Sequence, residues 1–316
     1  FGELSLKTPD FKRLPGFAKY YLGNWGEKIA FISTILGGFG ALLAYLIVGG
    51  EFLTELLSPI FGRGNLFWTG IYFLLGTILI FFGIKIISQV EFLGLILFFL
   101  VLILLFFQAK DLINFENLVF TPSSLFYNWF FPYGPILFSL WGAALIPEIE
   151  EMLVERRKYL KKVIVLSILI PIIVYLFFIY LILGICGSQT TPFALIGLEN
   201  FLGKKVSALM LFFGVLTTFT SFVSLGLTLK KVFWYDLKLK KNISWFVTSF
   251  FPLFLFLIGM KQFIPIISFV GAVMLGIDGI LILLMYKKIN PKQILIYPLF
   301  FILVVGIVYE IIHFFV

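Results

Sequence analysis

Between Phe131 and Glu148 the chain reads Phe131-Pro-Tyr-Gly-Pro-Ile-Leu-Phe-Ser-Leu-Trp-Gly-Ala-Ala-Leu-Ile-Pro-Glu148, an apolar run punctuated by helix breakers. Gly142 stands in its middle, Gly134 and Pro135 toward one end and Pro147 toward the other. Glycine weakens a helix through its conformational freedom, and proline by lacking an N–H. A helix broken around Ser139–Ala144 frees backbone N–H and C=O groups and two half-helix ends, which bind carboxylates, ammonium groups or cations. Ser139, Leu140, Trp141, Gly142 and Ala143 then line the ligand. The competing reading is a kinked helix with a small-residue packing face, because Gly and Pro are common in membrane helices.

A second pattern lies downstream. Thr217, Thr220, Ser221, Ser224 and Thr228 recur at helical spacing and share one face. Such a stripe ligates an ion with hydroxyl oxygens or lines a polar path, or else bonds neighbouring helices. Tyr45 follows a small-residue face of Gly37, Gly38, Gly40 and Ala41, where it either gates a site or is bonded in a packed interior. Asp278 is the acidic residue set well inside an apolar run, and intramembrane carboxylates default to a functional role. It either takes up a transported proton or pairs with a basic group. Glu310 and His313, near the end of the last apolar run, are expected at the interface. Glu148, Glu150, Glu151 and Glu155 run into Arg156, Arg157 and Lys158, which reads as a solvated helix end or a salt-bridge gate. In the segment Ser188–Lys204, Thr191 and Pro192 are expected to open a short helix that Gly203 closes.

The elements carrying these residues follow from composition. Of 316 residues, 61% are hydrophobic and 13% charged, against about 25% charged in average soluble domains. Nine apolar runs approach the ~20 residues that cross a bilayer: Ile29–Gly50, Leu66–Gly83, Phe92–Phe107, Phe130–Ile149, Val163–Cys186, Val206–Leu229, Ile243–Met260, Ile264–Tyr286 and Ile294–Phe315. In lipid the backbone must satisfy itself, so these are helices, and they lack the short alternating segments of a β-barrel. Of the 24 Lys and Arg, all but Arg63, Lys110, Lys204, Lys205 and Lys261 fall on one side of the resulting topology. By the positive-inside rule the N-terminal end is cytoplasmic and the C terminus outside. The same count accounts for the net charge of +8 without nucleic acid. One cysteine, Cys186, excludes an intrachain disulfide, and one histidine, His313, argues against a His-based metal site or catalytic triad.

Several segments together give a family resemblance. Phe1-Gly-Glu-Leu-Ser-Leu-Lys-Thr8 with Arg13-Leu-Pro-Gly-Phe-Ala-Lys-Tyr-Tyr-Leu-Gly23 is similar to the cytoplasmic segment after the second transmembrane helix of the aromatic amino-acid permeases and the wider amino acid/auxin permease family. Gly40-Ala-Leu-Leu-Ala-Tyr45 resembles that family's third helix and Gly83-Ile-Lys85 the entry to its fifth. Leu137-Phe-Ser-Leu-Trp-Gly142 with Ile146-Pro-Glu148 resembles its broken sixth helix, and Thr220-Ser-Phe222 with Leu225-Gly-Leu227 its eighth. The resemblance implies an all-α polytopic membrane protein with a partial leucine-transporter-type inverted repeat, its nine spans standing as helices three to eleven. Residues 1–28 then form a cytoplasmic segment, 29–107 the rest of the first repeat, 130–286 the second repeat with its break near 139–144, and 294–315 an accessory helix of a single domain, 1–316. The first two helices, including the glycine-rich first one, are expected to be missing, either because the sequence is a fragment, which the Phe1 start favours, or because the natural product is truncated and inactive.

The resemblance further implies ion-coupled symport of aromatic or other neutral amino acids by alternating access. Carried over by position, Ser139 to Ala143 face the substrate, while Thr220 and Ser221 lie near the sodium region of sodium-coupled relatives. With Tyr45 added to the substrate set, and Thr217 and Asp278 to the coupling set, these are the candidate residues. No cofactor other than a coupling proton or sodium is expected, and the partners are an amino acid and the plasma-membrane bilayer. Two alternatives remain: an integral-membrane enzyme acting on lipid-type substrates, whose acids are limited to the Glu148–Glu155 patch, and a non-transporting sensor or scaffold.

Overall fold

A computed structural model describes residues 1–8, 13–83, 87–119, 130–153 and 156–315. Lys12, Lys85 and Glu155 lie outside the described residues, as does the side chain of Glu148. Among the described residues the regular structure is helical: α1 (Gly2–Lys7), α2 (Leu14–Leu22), α3 (Asn24–Phe61), α4 (Asn65–Phe82), α5 (Ile87–Ala109), α6 (Tyr133–Leu140), α7 (Ile146–Met152), α8 (Leu160–Cys186), α9 (Lys204–Lys231), α10 (Lys241–Leu257), α11 (Phe263–Phe269), α12 (Gly276–Ile289) and α13 (Ile296–Phe315). A π-helical segment, Val270–Leu275, joins α11 to α12.

Seven helical stretches among the described residues are long and apolar enough to cross a membrane, and two shorter apolar ones, Tyr133–Leu145 and Lys241–Leu257, occupy further expected positions. The protein is an all-α polytopic membrane protein. On α8, Leu166, Leu169, Ile173 and Leu176 are exposed, as expected for side chains that meet lipid rather than water. α3 outruns its expected span because Glu51 and Glu55 end the apolar run without ending the helix. It stops where Gly62 turns left-handed (φ 66°) and its N–H bonds the Ser58 carbonyl at 2.8 Å.

The backbone divides into two compact units: Phe1–Gly37, Ser124–Tyr175 and Ile264–Val316 form the first, and Gly38–Ser123 and Leu176–Phe263 the second. In the first, α12 packs on α13 through glycines: a Cβ on Gly276 would meet Ile307 at 3.0 Å, and one on Gly279 would meet Leu303 at 2.9 Å. Leu4, Phe17, Ala18, Ala30, Leu281 and Met285 bury together at one end of the unit. In the second, small residues again allow close approach: a Cβ on Gly214 would meet Phe52 at 2.7 Å. Lys230 of α9, buried, donates to the Ile80 and Phe81 carbonyls at 2.7 and 3.0 Å, closing the C-terminal end of α4.

Candidate functional site

The first unit contains the interrupted helix. α6 ends at Leu140, Trp141 is extended (φ −78°, ψ 97°), Gly142 has φ −106°, ψ 6°, and a 3-10 turn at Ala143–Leu145 leads into α7. The last carbonyls of a helix lack intrahelical partners. One of them, that of Ser139, accepts from the Tyr175 hydroxyl at 3.3 Å, and the Gly142 carbonyl accepts from the Leu145 N–H at 3.2 Å. Ser139 and Gly142 are exposed, while Leu140, Trp141 and Ala143 are half-buried. The tip of the Trp141 indole packs on α12, 3.4 Å from where a Cβ on Gly279 would stand.

Both halves of the interrupted helix are held. Gly134 lies flat against the π segment, where a Cβ would meet the Ser268 Cα and Oγ at 2.8 Å and a Cβ on Gly271 would strike the Gly134 carbonyl. The Tyr133 ring sits on Gly306 of α13. On the other half, Glu150 accepts from the Ser5 hydroxyl at 2.6 Å and pairs with Arg157 at 3.2 Å. Glu150 is 2% exposed, so at this position the acidic run is buried and ion-paired rather than a solvated helix end.

Asp278, 6% exposed, accepts a hydrogen bond from Ser33 of α3 rather than pairing with a lysine or arginine among the described residues. Glu310, expected near the interface, is buried among protein side chains. It is 4% exposed and accepts from the Ser268 hydroxyl at 2.8 Å. Neither hydroxyl was legible as a partner, since each stands far from its carboxylate in sequence. The signal that was available is the acid itself, in an apolar run. His313, exposed, stacks on Tyr309.

In the second unit Tyr45 packs beside Val48, Phe52 and Leu211. Thr217, Thr220 and Ser221 line a groove of about 250 Å³ with Gly94, Leu95, Phe98 and Leu216. The Thr217 hydroxyl donates to the Phe213 or Gly214 carbonyl of its own helix, and Thr220 to that of Thr217. Thr191 donates to the Phe193 carbonyl at 2.9 Å instead of capping a helix; two helical turns, Ala194–Gly197 and Glu199–Leu202, follow it. The first unit thus contains Ser139 to Ala143 and Asp278, and the second Tyr45, Thr217, Thr220 and Ser221.

Many apolar helices, one of them unwound between two anchored halves, define a polytopic membrane protein with a discontinuous helix, an element that transporters use. The chain belongs to the tryptophan/tyrosine permease family, whose sequence profile matches residues 1–313. This membership points to amino-acid transport rather than enzymatic chemistry. None of the curated proteins matches the chain.

Proposed function

We propose that the protein is a secondary active transporter that moves an aromatic or other neutral amino acid across the plasma membrane by ion-coupled symport and alternating access. The observation that carries the reading is the interruption at Trp141–Gly142. A zwitterion needs hydrogen-bond acceptors for its ammonium group and donors for its carboxylate. An unwound segment supplies both from the main chain, with half-helix ends adding partial charge. Tyr175 already engages the Ser139 carbonyl and Leu145 the Gly142 carbonyl. In this reading the main chain of Leu140 and Trp141 meets the ammonium group, and Ser139, Gly142 and Ala143 shape the space around it. Tyr45 belongs to the substrate set, and Thr217, Thr220 and Ser221 serve a coupling cation. Asp278 takes up a coupling proton, a role supported by its burial against a neutral donor. The N-terminal end of the chain is cytoplasmic and the C terminus outside.

The test is counterflow of labelled tryptophan, tyrosine, phenylalanine and leucine into liposomes containing protein expressed from its complete coding sequence. Each is measured without a gradient, then with a pH or a sodium gradient. Saturable counterflow of at least one amino acid, accelerated by one gradient, is expected. Absence of counterflow for every amino acid tried, by protein that still melts cooperatively, overturns the proposal.

A further inference from the structure

The turn that joins α9 to α10 in the second unit gathers positive charge. Residues 230–241 hold five lysines against one acid, Asp236. Lys230 is buried, with its ammonium group on the Ile80 and Phe81 carbonyls. Lys231, Lys238, Lys240 and Lys241 are exposed. The helices beside them, α4, α9 and α10, have no carboxylate in their sequences. The other basic run, Arg156 to Lys162, is built differently: four glutamates precede it, and Glu150 already pairs with Arg157.

The turn is ordered by its own backbone. A π-helical segment, Val232–Asp236, follows α9. The Leu237 N–H then bonds the Val232 carbonyl at 3.1 Å and the Leu239 N–H the Phe233 carbonyl at 3.0 Å. Lys238, between them, takes a left-handed backbone (φ 56°). The Trp234 and Tyr235 rings stack with centroids 4.4 Å apart, and the Lys241 ammonium lies 5.5 Å from the Trp234 centroid. Trp and Tyr rings settle at the headgroup level of a bilayer, where one edge meets water and the other lipid. An apolar wall adjoins the turn. Ring contacts run from Phe81 of α4 through Trp245 and Phe250 to Phe246 of α10. Phe81 is 40% exposed and Phe246 55%, and Leu237 and Ile243 are exposed as well.

We propose that the α9–α10 turn is a binding site for an anionic phospholipid. The ammonium groups of Lys238, Lys240 and Lys241 meet the headgroup, Trp234 and Tyr235 lie at the glycerol level, and the acyl chains run along Phe81 and Phe246. Two features select this occupant. Four exposed cations with one acid in the segment favour a lipid of net negative charge over a zwitterionic one, whose own ammonium group would face the lysines. The exposed rings and aliphatic side chains give acyl chains a surface that soluble phosphate cannot use. The site rests on the chain's place in a membrane and not on the transport reading.

The experiment titrates phosphatidylglycerol into mixed micelles of the detergent-solubilised protein, without amino acid, beside phosphatidylcholine of the same chains and inorganic phosphate. Each lipid carries a nitroxide near the headgroup end of one acyl chain, which quenches nearby indole emission. The Trp234 share is the difference between the parent and Trp234→Phe. The anionic lipid is expected to quench Trp234 at lower mole fraction than the zwitterionic one, and added salt is expected to narrow the difference. Each lysine near a membrane surface contributes about fivefold in affinity. Lys238→Gln, Lys240→Gln and Lys241→Gln combined should therefore weaken the anionic lipid's midpoint about a hundredfold, while Lys161→Gln with Lys162→Gln on α8 should leave it in place. Equal quenching by the two lipids in the parent protein, or a combined variant that titrates like the parent, overturns the proposal. Inorganic phosphate that displaces the anionic lipid at the lipid's own concentration overturns the choice of a lipid. If the combined variant does not fold, the comparison of the two lipids in the parent decides. Selective quenching by a protein that moves no amino acid would sink the transporter reading and leave the lipid site standing.

Discussion

Gly142→Leu separates folding from binding at the helix break. A Cβ at Gly142 would meet nothing within 4 Å, and its backbone, at φ −106° and ψ 6°, is open to any L residue. Folding stability should therefore change by no more than about 0.5 kcal/mol. Binding should change far more. Leu adds four carbons to the space where the proposed zwitterion meets the main chain. Displacing it from two hydrogen bonds to charged groups, at about 1.5–3 kcal/mol each, loses about 3 kcal/mol or more. At 1.4 kcal/mol per tenfold this weakens apparent affinity more than about a hundredfold. Gly142→Ala, adding one carbon, should fall between. Counterflow rates over a range of amino-acid concentration measure the binding. A thiol-reactive fluorogenic dye measures folding, because Cys186 is the one cysteine and is buried until the protein melts. Undiminished uptake by Gly142→Leu refutes the site assignment, and a large drop in melting temperature refutes the claim of open space.

Three further substitutions test other parts of the structure. Gly271→Ala drives a Cβ into the Gly134 carbonyl, with the Phe138 Cβ at 3.0 Å, so backbone has to move; overpacking of this kind costs about 1–3 kcal/mol. The dye-based melt should show that loss, while Gly70→Ala, with nothing within 4 Å of its Cβ, should not. Lys230→Met keeps the apolar stem but strips the donor from the Ile80 and Phe81 carbonyls. A destabilisation of about 1.5–3 kcal/mol is expected in the same melt, and an unchanged melting temperature would show that water replaces the ammonium. Asp278→Asn keeps a polar partner for Ser33 and removes the titrating group. Uptake measured across pH should lose part of its dependence in this variant, and a profile superimposable on the parent's rejects Asp278 as a proton carrier.

The helical architecture was legible because the bilayer imposes one rule on every span, a long apolar run with its polar backbone bonded internally. The break near Gly142 could be placed because Gly and Pro act locally, through the conformations they allow. Where the reading of a single element missed, a partner distant in sequence decided the outcome. Glu310 stands near the end of its helix, but its bond to Ser268, 42 positions away, buries it among protein side chains. Glu150 looked solvated among charged neighbours, but Ser5, 145 positions earlier, bonds it in a buried pair. The extension of α3 past Gly50 was missed for a simpler reason: hydropathy reports the apolar part of a helix, whereas the helix itself ends at its cap.

The break in the helix is expensive, and its surroundings show how it persists. Each buried backbone group left unbonded costs about 1–3 kcal/mol, so an unwound stretch needs neighbours that over-determine it. Three independent anchors do so within the first unit. α6 is wedged by backbone contact at Gly134 and by Tyr133 on Gly306. The break itself is tied by the Tyr175 hydroxyl and by the Trp141 indole over Gly279. α7 is fixed by Ser5 and Arg157 on Glu150. Two of the three anchors contact the run Phe263–Ile289, which also contributes Ser268 and Asp278 to two of the buried carboxyl–hydroxyl pairs. A proton taken up by Asp278 therefore arrives on the same run that two of these anchors contact. Under the proposals above, coupling between proton and amino acid needs no longer path than that one helical run.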